Sequence, residues 1–181
     1  MESYHSFVKK LAEAFECAKI DYAFTGALAV SYYGAPRTTT DVDIMVGSAD
    51  EANLKNKIAL ALNQAGLDFD PRKIETALAS NYNIATFTCK ESPYTLDIII
   101  SAEKLEKKTG KIDSFKTFFQ SPEGLIAAKL RMIKATLPPE RAEKDKQDVK
   151  SILAFTKVDI EVVKELAKKD STTKIFQALT A

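Results

Sequence analysis

Residues 22–46, YAFTGALAVSYYGAPRTTTDVDIMV, constrain this chain more than any other stretch. YAFT reads as a short strand that runs into Gly26. GALAVSYYG then reads as a brief helix ending at Gly34, Pro36 breaks the pattern, and DVDIMV returns as a strand. Side chains on a strand alternate, so Asp41 and Asp43 point to one face with Cα atoms roughly 6.6 Å apart. Such carboxylates repel each other unless a cation sits between them, and hard oxygen ligands at that spacing suit Mg²⁺ or Mn²⁺. A solvated acidic turn ahead of a strand is the alternative.

Around this segment the pattern divides the chain in two. Residues 1–20 place Tyr4, Phe7, Val8, Leu11 and Phe15 on an amphipathic helical stripe. EANLKNKIALALNQAG repeats Leu54, Ile58, Ala61 and Ala65 and closes on Gly66. Residues 72–79 add a short helix, and 82–89 and 94–101 read as two strands of a hairpin joined by ESP. After residue 101 every strong pattern is helical. Ser121-Pro122 is a good helix start, Pro138-Pro139 forces a stop, ERAEKDKQDVKSILAF is the next helix, and Asp159 caps a last one through Val163 and Leu166. The expectation is an α+β core over 1–101 followed by a helical C-terminal subdomain over 102–181, packed as one structural unit.

Composition narrows the chemistry. The 181 residues make about one domain, and 45% hydrophobic with 28% charged residues exclude fibrous and disordered classes. The net charge of +1 gives no global basic field, although residues 1–100 sum to −4 and 101–181 to +5. Cys17 and Cys89 are too few for a disulfide framework and lie in apolar-periodic segments, which fits a reducing cytoplasm. No signal-peptide core and no run of 18 apolar residues appear, so neither export nor a membrane span is expected. His5 is the only histidine, which argues against His-based catalysis or a zinc site. Carboxylates and cations are left to carry any chemistry.

Asp97 lies inside TLDIII, a strand apolar on both faces, where a lone ionised carboxylate costs several kcal/mol unless paired or metal-bound. Beside residues 41–46 it makes a third carboxylate on one face, enough for two divalent ions about 3.5–4 Å apart. A sheet-edge position or an Arg partner is the alternative. Gly26, between a strand and a helix start, lets backbone N–H groups approach phosphate oxygens, or simply makes a tight turn. Arg37 can neutralise phosphate, or offset the aspartates as an ion pair.

Together, Gly26-Ala27-Leu28-Ala29, Gly34, Arg37, Thr39, Asp41-Val42-Asp43 and Asp97 resemble the DNA polymerase beta-like nucleotidyltransferase superfamily. Its pattern is Gly-Gly or Gly-Ser, roughly ten residues, carboxylate-x-carboxylate on a strand, then a third carboxylate. Here 13 residues separate Ala27 from Asp41, and Ala27 stands where Gly or Ser is usual. The resemblance covers residues 1–100. It implies a small mixed sheet flanked by helices that binds divalent metal and a nucleoside triphosphate.

The helical half is similar to the minimal nucleotidyltransferase branch related to abortive-infection toxins of type IV toxin–antitoxin systems. Lys129 in SPEGLIAAKL matches its helix lysine, and Arg141, Lys144, Asp145 and Asp148 match its Arg-x-x-Lys-Asp-x-x-Asp segment. Lys144 and Asp148, at i and i+4, can face one cleft or form a solvated helix face. In that branch the late Asp is a candidate base, here Asp148 or Asp145.

The resemblance implies metal-assisted transfer of a nucleoside monophosphate to a hydroxyl on tRNA, a protein or a small molecule. Asp41, Asp43 and Asp97 hold Mg²⁺ or Mn²⁺, Gly26 and Ala27 cradle phosphate, and Arg37 and Lys129 offset developing charge. The rival expectation is a non-catalytic nucleotide- or partner-binding module with an antitoxin-like partner.

Overall fold

The computed structural model describes residues 2–48, 53–79, 83–88 and 92–180. Among these residues eight α-helices and a six-stranded mixed sheet make an α+β fold, and the chain divides into two compact units.

The first unit takes residues up to Leu28 together with Thr38–Gln120. Its helices are α1 (Tyr4–Cys17), the start of α2 (Gly26–Tyr33), α3 (Leu54–Gln64) and α4 (Pro71–Ala79). Its strands are β1 (Tyr22–Thr25), β2 (Asp41–Gly47), β3 (Ile84–Thr88), β4 (Thr95–Ser101), β5 (Lys107–Ile112) and β6 (Phe115–Gln120), in the order β3-β4-β2-β1-β6-β5. The pairs β2–β4 and β1–β6 are parallel and the others antiparallel. The apolar set Tyr22, Phe24, Val42, Ile44, Leu96, Ile98, Phe87 and Phe119 is buried, as are Phe7, Leu11 and Phe15 of α1 and Ile58 and Leu62 of α3. On β2 and β4 the alternate residues are only half-buried or exposed, so one sheet face is core and the other carries polar groups.

The second unit comprises Ala29–Arg37 and Ser121–Ala181, with α5 (Pro122–Ala135), a 3₁₀ turn (Pro139–Ala142), α6 (Glu143–Phe155), α7 (Ile160–Lys169) and α8 (Thr173–Thr180). Ser121 caps α5, its side chain accepting from the Gly124 N–H with Pro at the first turn, and Asp159 caps α7. Among the described residues no helix is long and apolar enough to cross a membrane.

The helical part therefore starts at 121 rather than 102. KKTGKI and FKTFFQ pair as an antiparallel hairpin within the sheet, which the expectation of a wholly helical 102–181 missed. A helix after α7, α8, was also not expected. The strand expected over 82–89 is present over Ile84–Thr88, and Tyr82 and Cys89 lie outside the described residues. Cys17, although it lies in an apolar-periodic segment, is exposed at the end of α1.

Tyr22 ties the core together: its hydroxyl lies 2.8 Å from Thr117 Oγ1 and donates to the Ala12 carbonyl at 3.3 Å. Burial pushes its phenol up to about 12, against the lowering effect of the Thr117 hydrogen bond. The fold favours neutral Tyr22, so its contribution is complete below pH 10 and is lost between pH 10 and about 12. Urea denaturation over that window is expected to show stability falling by up to about 1.4 kcal/mol per pH unit. Tyr22→Phe should flatten part of the slope, leaving that of Tyr33, which burial also raises. An unchanged slope in the variant refutes this.

Candidate active site

The sheet register decides where the three aspartates stand. On the parallel pair β2–β4, Asp41 is opposite Thr95 and Asp43 is opposite Asp97; on the other side of β2, Asp43 is opposite Thr25. Opposite residues point to the same face, and Asp41 and Asp43 are two apart, so all three carboxylates share the face that is not core. Asp97 is thus half-buried among polar neighbours, not enclosed in an apolar strand as the sequence suggested, and it has no Arg partner among the hydrogen bonds and ion pairs described.

Threonines on the next strand outward hold two of these carboxylates. Thr95 Oγ1 donates to Asp41 Oδ1 at 2.8 Å, and Thr86 Oγ1 on β3 donates to Asp97 Oδ1 at 2.6 Å. Each bond joins register partners and engages only one carboxylate oxygen. Sequence reasoning missed both threonines, though Thr95 stands two residues before Asp97 on the same face. Thr39 belongs to a local turn: the Asp41 N–H donates to its Oγ1 at 3.3 Å, and its hydroxyl donates to the Asp41 carbonyl at 3.4 Å.

Gly26 opens α2 with φ +58°, in the left-handed region that favours glycine. A Cβ there would lie 1.9 Å from Asp43 Oδ2, so only a glycine lets the backbone pass this close to the carboxylate. Ala27 follows it, buried. A helix start with a bare backbone thus stands directly against the middle aspartate, where N–H groups can meet an anion that a cation holds to the carboxylates.

The donor set suits a hard divalent cation: carboxylate oxygens on one face, with no thiol or imidazole among Asp41, Asp43 and Asp97. Among the described residues, however, no three His, Cys, Asp or Glu side chains close on a single metal position.

Compared with solved structures, the chain aligns over 98% of its length with an antigenic nucleotidyltransferase-like protein from Paracoccidioides brasiliensis, covering 92% of that chain at TM-score 0.63 and 16% identity. The fold is nucleotidyltransferase-like. The antibiotic-resistance factor ANT(2″)-Ia matches with TM-score 0.63 and 13% identity, over 97% of this chain and 94% of that one. The lincosamide antibiotic adenylyltransferase LnuA, solved with lincomycin bound, matches with TM-score 0.53 and 15% identity, over 81% and 96%. No protein-family model and no curated protein matches the sequence.

Arg37, Lys129, Asp145 and Asp148 meet in the second unit. Arg37 Nη1 donates to both oxygens of Asp148, at 2.9 and 2.8 Å, and Lys129 Nζ lies 2.8 Å from Asp148 Oδ2 and 2.7 Å from Asp145 Oδ1. Two cations and two carboxylates balance there, and Arg37 Nε is buried without a hydrogen-bond partner among the described residues. Arg37 is therefore an ion-pair residue whose partner is Asp148 rather than Asp41 or Asp43. Lys144 does not join: it is exposed on α6 while Asp148, four residues on, is buried. Ser151 Oγ accepts from the Ala35 N–H at 2.6 Å and lies 2.4 Å from where a Gly34 Cβ would be, so α6 holds the loop that follows α2 closely.

Proposed function

We propose that this chain is a metal-dependent nucleotidyltransferase that moves a nucleoside monophosphate from a nucleoside triphosphate to a hydroxyl acceptor. The observation that carries the reading is the set of three carboxylates on one sheet face, Asp43 opposite Asp97 and Asp41 two residues before Asp43, with the left-handed Gly26 against the middle one. Two of the structural neighbours support it, one named as an adenylyltransferase and the other, ANT(2″)-Ia, also solved with adenylyl-2″-tobramycin.

In this reading Asp41, Asp43 and Asp97 hold Mg²⁺ or Mn²⁺. A bound divalent ion supplies charge neutralisation on the triphosphate and lowers the proton affinity of the acceptor hydroxyl. The backbone at Gly26 and Ala27 presents N–H groups to the phosphates, and Thr95 and Thr86 keep Asp41 and Asp97 in fixed orientations. The acceptor oxygen bonds to the α-phosphorus while the α–β anhydride bond breaks, its electron pair leaving on pyrophosphate. Asp97 takes the hydroxyl proton. Arg37 and Lys129 already meet carboxylates, so the phosphate contact is assigned to the backbone rather than to them.

Thermal unfolding with ATP, CTP, GTP or UTP tests this directly. At least one triphosphate is expected to raise the melting temperature with Mg²⁺ or Mn²⁺ and not with EDTA, by about 2–4 °C per kcal/mol of binding linkage for a chain of this size. No metal-dependent shift with any of the four favours the non-catalytic module.

A further inference from the structure

Strand β3 is an edge of the sheet, and between it and α4 runs a groove of about 720 Å³, within the range of small-ligand sites. An exposed edge invites another strand, but this one is capped: the Thr88 carbonyl accepts from the Asp68 N–H at 3.2 Å, and the Thr86 carbonyl accepts from Lys73 Nζ at 3.1 Å. The space left suits a small molecule rather than an added strand.

Its lining has two kinds of surface. Ala77 of α4 and Ala85 of β3 give an apolar floor. Arg72 and Lys73 on the rim outnumber the single carboxylate Asp70. Arg72 pairs with Asp70 through Nη2 at 2.8 Å and through Nε at 3.1 and 3.0 Å, but its side chain is 85% exposed, where such a pair is worth little, so an incoming anion can compete for the guanidinium. Lys73 spends one donor on the Thr86 carbonyl and keeps two. Thr86 also lines the groove, and its hydroxyl proton is committed to Asp97 at 2.6 Å. Both lone pairs of that hydroxyl are then available to accept from a ligand O–H. The groove therefore offers anion recognition at Arg72 and Lys73 and, beside Lys73, a hydroxyl contact at Thr86 one side chain away from the carboxylate face.

We propose that this groove is the acceptor site and takes a small hydroxylated anion, a sugar phosphate or a sugar acid, with the acid group on Arg72 and Lys73 and a hydroxyl on Thr86. The fate of that hydroxyl, attack on the α-phosphorus with loss of pyrophosphate and of its proton to Asp97, rests on the nucleotidyl-transfer reading; binding does not.

Calorimetric titration of the full chain, without nucleotide or metal, uses four probes: D-ribose 5-phosphate, D-gluconate, neutral D-ribose and cationic 2-deoxystreptamine. At least one anion is expected to bind about tenfold or more tightly than ribose, and deoxystreptamine no more tightly than ribose. Which anion wins decides between phosphate and carboxylate. Arg72→Gln and Lys73→Gln should each weaken the anion about fivefold or more, with far-UV dichroism unchanged. Anions that bind no better than ribose, or anion binding that survives the double variant, overturn the proposal. The triphosphate shift is read separately. A shift without anion binding removes the groove alone, and anion binding without a shift leaves the groove and removes the transfer reading.

Discussion

Asp43→Asn is expected to lower nucleotidyl transfer by about 10³-fold while leaving the fold intact. Asp43 is the middle carboxylate, opposite Asp97 on one side and Thr25 on the other, and its Oδ2 occupies the place that a side chain on Gly26 would need. An amide keeps the volume and removes the charge. The loss of several kcal/mol of electrostatic stabilisation at the reacting phosphate corresponds to that factor in rate. Stability should move the other way or not at all, because in EDTA the substitution removes one of three like charges on a single sheet face. The assay is transfer of label from triphosphate, with divalent metal, to the macromolecules and small molecules of a cell extract. The melting temperature in EDTA is the fold control. Transfer that survives Asp43→Asn unchanged removes the carboxylate site from the mechanism.

The shared face of Asp41 and Asp43 was legible because its cause is local. Period-two alternation puts Asp41 and Asp43 on one face, and a glycine between strand and helix marks the close approach that Gly26 makes to Asp43. The β5–β6 hairpin was not legible. β5 is an edge strand in which only Gly110 and Ile112 are buried, so lysines and a threonine occupy the rest and no alternation survives. Its strand character comes from pairing with β6, a tertiary contact that local pattern does not carry. The environment of Asp97 was misread for a related reason. Ile99 shares its face and is apolar, but across the sheet that face is filled by Thr86 and Asp43, which the sequence of β4 alone does not contain. Nor does helical spacing bring Arg37 to Asp148: they are 111 residues apart, and the i, i+4 pattern offered Lys144 instead.

Asp148→Ala is expected to destabilise the protein by about 3 kcal/mol. The Asp148 side chain is 6% exposed and carries two cations, Arg37 through both of its oxygens and Lys129 through one. Breaking a buried pair by removing one partner costs about 3–5 kcal/mol, because the remaining charge stays desolvated without compensation. Lys129 retains Asp145 at 2.7 Å, so the orphaned charge is chiefly that of Arg37, whose Nε already lacks a partner among the described residues. Arg37 is 21% exposed, and water reaching it places the cost at the lower end of that range. Removing the orphan as well should restore much of the loss, so Arg37→Met with Asp148→Ala should be more stable than Asp148→Ala alone. Urea denaturation of the wild type, both single variants and the double completes the cycle. A cost below about 1 kcal/mol for Asp148→Ala, or a double variant no more stable than the single, would mean that solvent already screens these charges and that the cluster does not hold the loop after α2 to α6.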